Sequence, residues 1–148
     1  RWRNKESGSI GYEARCTNQE LRIIMDKIKS FTDLRAWQEA HKFVLMVYKI
    51  VKNFPRDETF GLVSQMRRSS VSISSNIAEG FSRNSLGEKI QFYSIAQGSN
   101  TELQNQLLIA RDIGYISKDI FVPVAEQAII VHKILNGLIK KTKEFRDS

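Results

Sequence analysis

The chain has 148 residues and a formal net charge of +7 at pH 7, with 41% hydrophobic and 26% charged residues, so one domain with an ordinary core is expected. A single cysteine, Cys16, excludes an internal disulfide, and no apolar run approaches the roughly 18–20 residues of a membrane span. We therefore expect a cytoplasmic protein without membrane contact, whose positive charge favours a polyanionic partner such as RNA or DNA.

The N-terminal residues 1–24 differ from the rest of the sequence. They are polar, show no helical period and begin without methionine, whereas Met25 stands directly before the first strongly periodic segment. We expect residues 1–24 to be a disordered or non-native extension, with at most a short helix over residues 18–29. Residues 25–148 then form the domain.

The first long helix is predicted over residues 33–53, with Asp33 as its N-cap and a Phe-Pro pair after its end. Two adjacent apolar stripes run along it, one through Phe43 and one through Trp37. The stripes are Ala36, Ala40, Phe43, Val47, Ile50, Phe54 and Leu34, Trp37, Val44, Tyr48, Val51. A helix in a monomeric bundle needs one apolar face. The second stripe therefore predicts a second packing partner.

The second helix is predicted over residues 57–78, with Gly80 as a left-handed C-terminal cap. Serine is dense in this helix, although serine is only a middling helix former. Small polar side chains let another helix approach closely and form hydrogen bonds across the contact. This composition predicts a buried or oligomer-facing helix with a polar seam.

The third and fourth helices follow from local capping signals. A capping-box pattern at residues 85–88 starts the third helix, which is predicted to end at Ile113 before Gly114. Ser117 is the predicted N-cap of the fourth helix, which kinks at Pro123 or begins nearer Val122. No strand alternation appears. Four amphipathic helices with short loops predict an all-α, antiparallel up-down four-helix bundle.

An ordered set of residues across three of these helices resembles a known family. The motifs are Phe31-x-Asp33-Leu34-x-x-Trp37, Leu62-x-x-Gln65-x-x-Arg68, Ser72-Ile73-x-x-Asn76-Ile77-Ala78-Glu79-Gly80, Ile95-Ala96-x-Gly98-Ser99 and Glu102-Leu103. They resemble the four-helix-bundle proteins encoded in intervening sequences of bacterial 23S ribosomal RNA genes. The resemblance implies a homopentamer without cofactor or established catalytic activity. A more distant branch binds a reverse transcriptase and nucleic acid, so a protein-binding adaptor is an alternative function.

Polar residues recur at spacings of three or four on the second helix and three apart on the third. They are Gln65, Arg68, Ser72, Asn76 and Glu79, followed by Ser99 and Glu102. If the two helices meet along these faces, Arg68 pairs with Glu79 or Glu102. We interpret the set as a structural network that fixes helix register or subunit geometry, because buried polar groups must be hydrogen-bonded. A ligand or nucleic-acid site is the alternative.

Glu79 and Glu102 are also the candidates for a metal-dependent nuclease. Two carboxylates can hold a divalent metal for phosphodiester cleavage. The sequence offers neither a third acidic ligand at a supporting spacing nor a histidine nearby in the pattern. We therefore predict no metal site, no cofactor and no catalytic residue.

Two groups of basic residues are candidates for contact with phosphates. The first group is Arg67, Arg68, Arg83, Lys89 and Arg111, and the second is Lys133, Lys140, Lys141, Lys143 and Arg146 on the last helix. A solvated helix face is the alternative for the second group. The sequence thus predicts a non-enzymatic homo-oligomer that binds RNA, DNA or a ribonucleoprotein through basic patches, with weak contacts multiplied by avidity.

Overall fold

The computed structural model describes residues 17–148, so most of the predicted extension, including Cys16, lies outside the described residues. The helices there are α1 (Asn18–Lys27), α2 (Arg35–Val51), α3 (Leu62–Ser82), α4 (Leu86–Asp112) and α5 (Lys118–Asp147), with 3-10 turns at Phe31–Asp33 and Arg56–Glu58. Helices α2 to α5 form an antiparallel bundle, in which α2 and α4 each pack against both α3 and α5. The predicted all-α four-helix bundle is confirmed.

One apolar core fills the space between these four helices. Its largest fully buried apolar side chains are Phe43, Val47, Met66, Ile73, Ile77, Leu103, Leu107, Val131 and Leu135. On each helix the buried residues recur at spacings of three, four or seven, which places them on one face. The core therefore takes one stripe from each helix and leaves the opposite faces outside.

The start of α2 differs from the prediction. Asp33 belongs to the preceding 3-10 turn, where its Oδ2 accepts from the backbone N–H groups of Lys29 and Ser30, both at 3.0 Å. Ser30 in turn accepts from the N–H of Thr32 at 3.3 Å, and Leu34 is the residue that precedes α2. Asp33 as N-cap of the long helix is wrong, because its carboxylate is already engaged by earlier backbone donors.

Gly80 is not the predicted left-handed cap, because it lies inside α3, which continues to Ser82. A Cβ atom at Gly80 would lie 2.7 Å from Cε1 of Tyr93 and 3.0 Å from Cβ of Phe92, both on α4. Glycine is needed here for the close approach of two helices rather than for its backbone freedom. The left-handed glycine is Gly114, with φ of 87°, which lies beyond the end of α4 as expected.

The fourth predicted helix, α5, begins at Lys118 after Ser117, and Pro123 lies inside it. By length and composition α5 is long and apolar enough to cross a membrane, with an 18-residue stretch of mean hydropathy 1.2. A core helix of a bundle meets the same criterion, and α5 buries Val124, Val131 and Leu135. Only 28% of that stretch is buried, so α5 also displays an apolar outer side.

Candidate functional site

The polar residues of α3 lie along its contact with α4. The hydroxyls of Ser72 and Ser99 are 2.8 Å apart, and the Asn76 amide donates to the Ser72 carbonyl at 2.8 Å and to its hydroxyl at 3.1 Å. These residues are half-buried or buried. Small hydroxyl side chains allow this close approach, so the seam between α3 and α4 is hydrogen-bonded as well as apolar.

A second set of hydrogen bonds continues the seam toward the start of α3. The Ser69 hydroxyl donates to the Gln65 carbonyl at 2.8 Å and to Oε1 of Gln106 at 3.0 Å. Ser69 is fully buried and Gln106 is nearly so. The sequence interpretation missed Ser69 and Gln106 as seam residues. The signal was present, because both recur three or four residues from residues that it had selected.

Arg68 and Glu102 form an ion pair at the outer edge of this seam. Arg68 also donates to Oε1 of Gln65 at 3.0 Å, and the Gln106 amide donates to Glu102 at 3.3 Å. The side chains of Arg68 and Glu102 are 57% and 40% exposed. An exposed pair of this kind contributes at most about 1 kcal/mol to stability. Within a single chain this part of the predicted network is therefore solvated rather than buried.

Glu79 does not join the other network residues, because it pairs with Arg83 one turn further along α3. Glu79 and Arg68, the partner of Glu102, are eleven residues apart on the helix. At the helical rise of 1.5 Å per residue this separation is about 16 Å. The two carboxylates proposed for a nuclease therefore do not converge, and no group of three or more His, Cys, Asp or Glu in residues 17–148 has metal-binding geometry.

Lys89 takes a structural role at the end of α3. Its ammonium group donates to the carbonyls of Phe81 at 2.5 Å and Gly80 at 3.3 Å, and it lies 5.4 Å from the Phe81 ring centroid. These carbonyls belong to the last turn of α3, where the helix leaves carbonyl groups without partners. Partial burial lowers the pKa of Lys89. The ammonium group thus stabilises the α3–α4 junction.

The arginines of the first basic group also have partners within the chain. The Arg83 guanidinium pairs with a carboxylate on its own helix and lies 4.7 Å from the Phe92 ring centroid. Arg111 pairs with Asp112 at 2.8 Å, which lowers the pKa of that carboxyl, and it lies 4.8 Å from the Phe121 ring centroid. These residues lie at opposite ends of the bundle. The first group therefore does not form one continuous basic surface.

The second basic group lies on α5, whose C-terminal half carries Lys133, Lys140, Lys141 and Lys143 on exposed positions. Arg146 pairs with Asp147 at 2.8 Å. A shallow surface depression of ≈ 480 Å³ is lined by residues of both charges: Asn136, Ile139, Lys140, Lys143, Glu144 and Asp147. The exposed lysines are thus closer together than the residues of the first group.

The second apolar stripe of α2 remains partly exposed beside α3. Leu45 is 57%, Tyr48 40% and the neighbouring Val71 of α3 39% exposed. Arg67 of α3 lies 5.3 Å from the Tyr48 ring centroid, which shows that the two helices adjoin here. At the other end of the stripe, half-buried Trp37 stacks on exposed His41 with ring centroids 4.7 Å apart. We call Trp37, Val44, Leu45, Tyr48 and Val71 the α2–α3 face.

Two buried polar contacts beside the core were not predicted. The Gln127 amide of α5 donates to the carbonyl of Glu39 at 2.9 Å and to its carboxylate at 2.8 Å, which joins α5 to α2. The fully buried Asn100 of α4 donates to the carbonyl of Ala128 at 3.1 Å, which joins α4 to α5. A polar residue at an apolar position of the helical period was the available signal. Its partner depends on the register of the neighbouring helix.

The fold and its polar seam define a class of protein, the small antiparallel four-helix bundle with hydrogen-bonded helix contacts. The family model of the 23S rRNA-intervening sequence protein matches residues 32–137 of this chain. The chain belongs to this family, as the sequence motifs predicted.

A solved structure supports the same fold. It is a protein of unknown function from the S23 ribosomal protein family of Bacteroides thetaiotaomicron, with a TM-score of 0.66 and 22% sequence identity. The match covers 71% of this chain and 95% of that chain. At this identity the likeness shows the fold alone. The comparison with curated protein sequences gives no match.

Proposed function

We propose that this chain is a non-enzymatic cytoplasmic protein that assembles with copies of itself, as a homopentamer, and binds RNA or a ribonucleoprotein through basic surfaces. The observation that carries the proposal is the α2–α3 face. A bundle helix that only has to complete its own core leaves its outer side polar. Here Leu45, Tyr48 and Val71 remain exposed on neighbouring helices.

The composition of the α2–α3 face supports a protein partner. Aromatic residues and arginine are enriched in protein interfaces, and this face combines Trp37 and Tyr48 with Arg67. Full burial of one large apolar side chain stabilises a contact by about 1.5–3 kcal/mol. A second copy that covers Leu45, Tyr48 and Val71 would gain part of this free energy at each residue.

Gly98 gives independent support for close contact with another chain. It lies exposed in the middle of α4, and a Cβ atom there would meet nothing within 4 Å. Glycine in a helix interior costs roughly 1 kcal/mol relative to alanine. The packing of a single chain therefore gives no reason for glycine at this position, whereas a neighbouring helix that approaches closely does.

The support for RNA binding is electrostatic. The chain carries a net charge of +7, and Lys133, Lys140 and Lys141 are exposed on α5. Lysines that neutralise phosphates give affinity without reading sequence. Each copy contributes weak contacts, and an assembly presents several of them to one RNA molecule, which raises the overall affinity.

Molecular mass in solution tests the assembly. We expect light scattering to give a multiple of the 17.0 kDa chain mass, about five times that mass for the proposed pentamer. Val71→Asp should reduce the mass to that of smaller species. Ile129→Asp, at an equally exposed position on α5, is the matched control and should retain it. A wild-type protein that elutes as a monomer would contradict the proposal.

Titration of RNA over a salt series tests the second part. Affinity should fall steeply with salt concentration, because phosphate contacts release counterions. The double variant Lys140→Gln, Lys141→Gln should reduce the salt dependence, whereas Lys49→Gln, Lys52→Gln at exposed positions near the opposite end of the bundle should not. Assembly without RNA binding would instead favour the adaptor function, with a partner protein such as a reverse transcriptase.

A further inference from the structure

Three apolar side chains are exposed where α3 begins and α4 ends. Phe60, in the loop before α3, is 95% exposed, Ile113 is 52% exposed and Ile109 is 42% exposed. We call these three residues the tip. Phe54, six residues before Phe60, is by contrast 8% exposed and packs against Tyr115 with ring centroids 5.3 Å apart. The chain thus buries one phenylalanine of this connection and displays the other.

The register between α3 and α4 brings the tip residues to one place. Ser69 contacts Gln106, and Arg68 contacts Glu102, on antiparallel helices. Moving back along α3 from Ser69 therefore leads forward along α4, so that Phe60 reaches the level of Ile113. The Tyr115 hydroxyl donates to Oε1 of Glu58 at 3.0 Å, which joins the two connections directly.

The loop that carries Phe60 is held in place by hydrogen bonds on both sides. Oε2 of Glu58 accepts from the Leu62 N–H at 2.9 Å, and the Glu58 carbonyl accepts from the Gly61 N–H at 3.0 Å. The Thr59 hydroxyl donates to the Arg56 carbonyl at 2.8 Å. Because the backbone around Phe60 is fixed, the ring is presented outward in an ordered position, which lowers the entropic cost of binding a partner.

The charges around the tip indicate what covers it. Arg56 and Asp57 flank Phe60, and Arg111 and Asp112 flank Ile113. Equal numbers of both signs do not favour a nucleic acid or a strongly acidic or basic partner. They fit a copy of the same surface, because a two-fold axis can place an acidic residue of each copy against a basic residue of the other. We propose that the tip packs against the tip of a second copy across a two-fold axis, as a contact separate from the α2–α3 face.

Phe60→Asp and its control Phe60→Leu test this contact by light scattering. Phe60→Asp places a charge at the centre of the contact, and the mass of the assembly should fall about twofold, because one two-fold contact joins two halves. Phe60→Leu should keep the wild-type mass. Because Phe60 is almost fully exposed, both variants should fold, and helical content by circular dichroism checks this. An unchanged mass for correctly folded Phe60→Asp would overturn the inference.

A crosslinking experiment distinguishes this geometry from any other contact. In a Cys16→Ser background, Thr59→Cys leaves Phe60 in place and should form a dimer rapidly with a short bis-maleimide, since a two-fold axis brings both copies of position 59 together. The control is Ser75→Cys, exposed on the outer side of α3. Adding Phe60→Asp should abolish the Thr59→Cys crosslink. Equal crosslinking at both positions, or crosslinking that persists with Phe60→Asp, would overturn the inference even if the α2–α3 face also binds copies.

Discussion

Two glycines show that the surroundings of a residue decide what it contributes. Gly80 faces Tyr93 so closely that a Cβ atom would lie 2.7 Å from its ring, whereas Gly98 faces open space. Both lie inside helices, where glycine has the same intrinsic cost of roughly 1 kcal/mol relative to alanine. Their contributions to stability therefore have opposite signs.

Gly80→Ala should destabilise the fold by about 1–3 kcal/mol, because the added methyl group forces Tyr93 or the helices apart. Gly98→Ala is the matched control and should stabilise an isolated chain by roughly 0.5–1 kcal/mol through helix propensity. Urea unfolding of both variants measures the difference. A Gly80→Ala variant as stable as Gly98→Ala would contradict the packing argument.

Tyr93 makes stability depend on pH at the alkaline end. Burial raises the pKa of the Tyr93 phenol to about 12, compared with 10.0 for an ordinary tyrosine. Between these values the unfolded chain releases the proton while the folded chain keeps it. The contribution is therefore fully present below pH 10 and is lost as the pH rises through about 12, by roughly 1–2 kcal/mol.

Tyr93→Phe should remove this component from the alkaline loss of stability, whatever its effect near neutral pH. Tyr48→Phe, which removes the hydroxyl of an exposed ring, should leave the loss as it is in the wild type. Denaturant unfolding at several values of pH from neutral to alkaline gives the comparison. Equal pH profiles for wild type and Tyr93→Phe would show that this phenol does not contribute.

At the scale of elements, α3 is a helix that tertiary contacts hold in place. Its serines bond back to the backbone, as Ser70 does to the Arg67 carbonyl at 2.9 Å and Ser74 to the Val71 carbonyl at 3.1 Å. Such bonds do not strengthen a helix by themselves. The stability of α3 comes from its apolar stripe through Met66 and from the hydrogen-bonded seam with α4.

Lys89→Met tests how much the junction between α3 and α4 depends on the ammonium group. Methionine keeps an apolar stem of similar length but cannot donate to the carbonyls of Gly80 and Phe81. We expect a loss of about 1–2 kcal/mol, because a charged donor is removed from partly buried acceptors. Lys141→Met, at an exposed position on α5, should change stability by less than about 0.5 kcal/mol. Equal thermal unfolding of the two variants would contradict a capping role for Lys89.

At the scale of the molecule, four stripes complete the core and still leave apolar surface outside. The exposed large apolar residues of the bundle include Leu45 and Tyr48 on α2, Ile95 on α4, and Ile129 and Ile130 on α5. Single exposed apolar residues are normal, whereas neighbouring ones mark contact sites. The α2–α3 face and the tip are the two places where such residues lie on adjacent elements.

Self-association makes the stability of the molecule depend on protein concentration, since only folded chains assemble. The midpoint of thermal unfolding should therefore rise as the wild-type protein is concentrated. Val71→Asp should show a smaller rise, and Ile129→Asp should behave as the wild type. Differential scanning calorimetry over a wide range of concentration provides the measurement. A midpoint independent of concentration would contradict assembly through the α2–α3 face.

The sequence by itself determined what depends on neighbours along the chain. Helical period fixed the apolar stripes, and Ser85 and Gly114 marked the ends of α4, because such capping is a contact within a few residues. The ordered motifs through Gln65, Asn76 and Gly98 were sufficient to identify the family, since they span three helices.

Only the tertiary structure decided which side chains meet. Glu102 pairs with Arg68 while Glu79 pairs with Arg83, and Lys89 caps α3 instead of remaining available to a phosphate. These partners depend on the register and rotation of helices that are distant in sequence. The spacing of residues along one helix does not set its register against another, because that register results from packing the whole core.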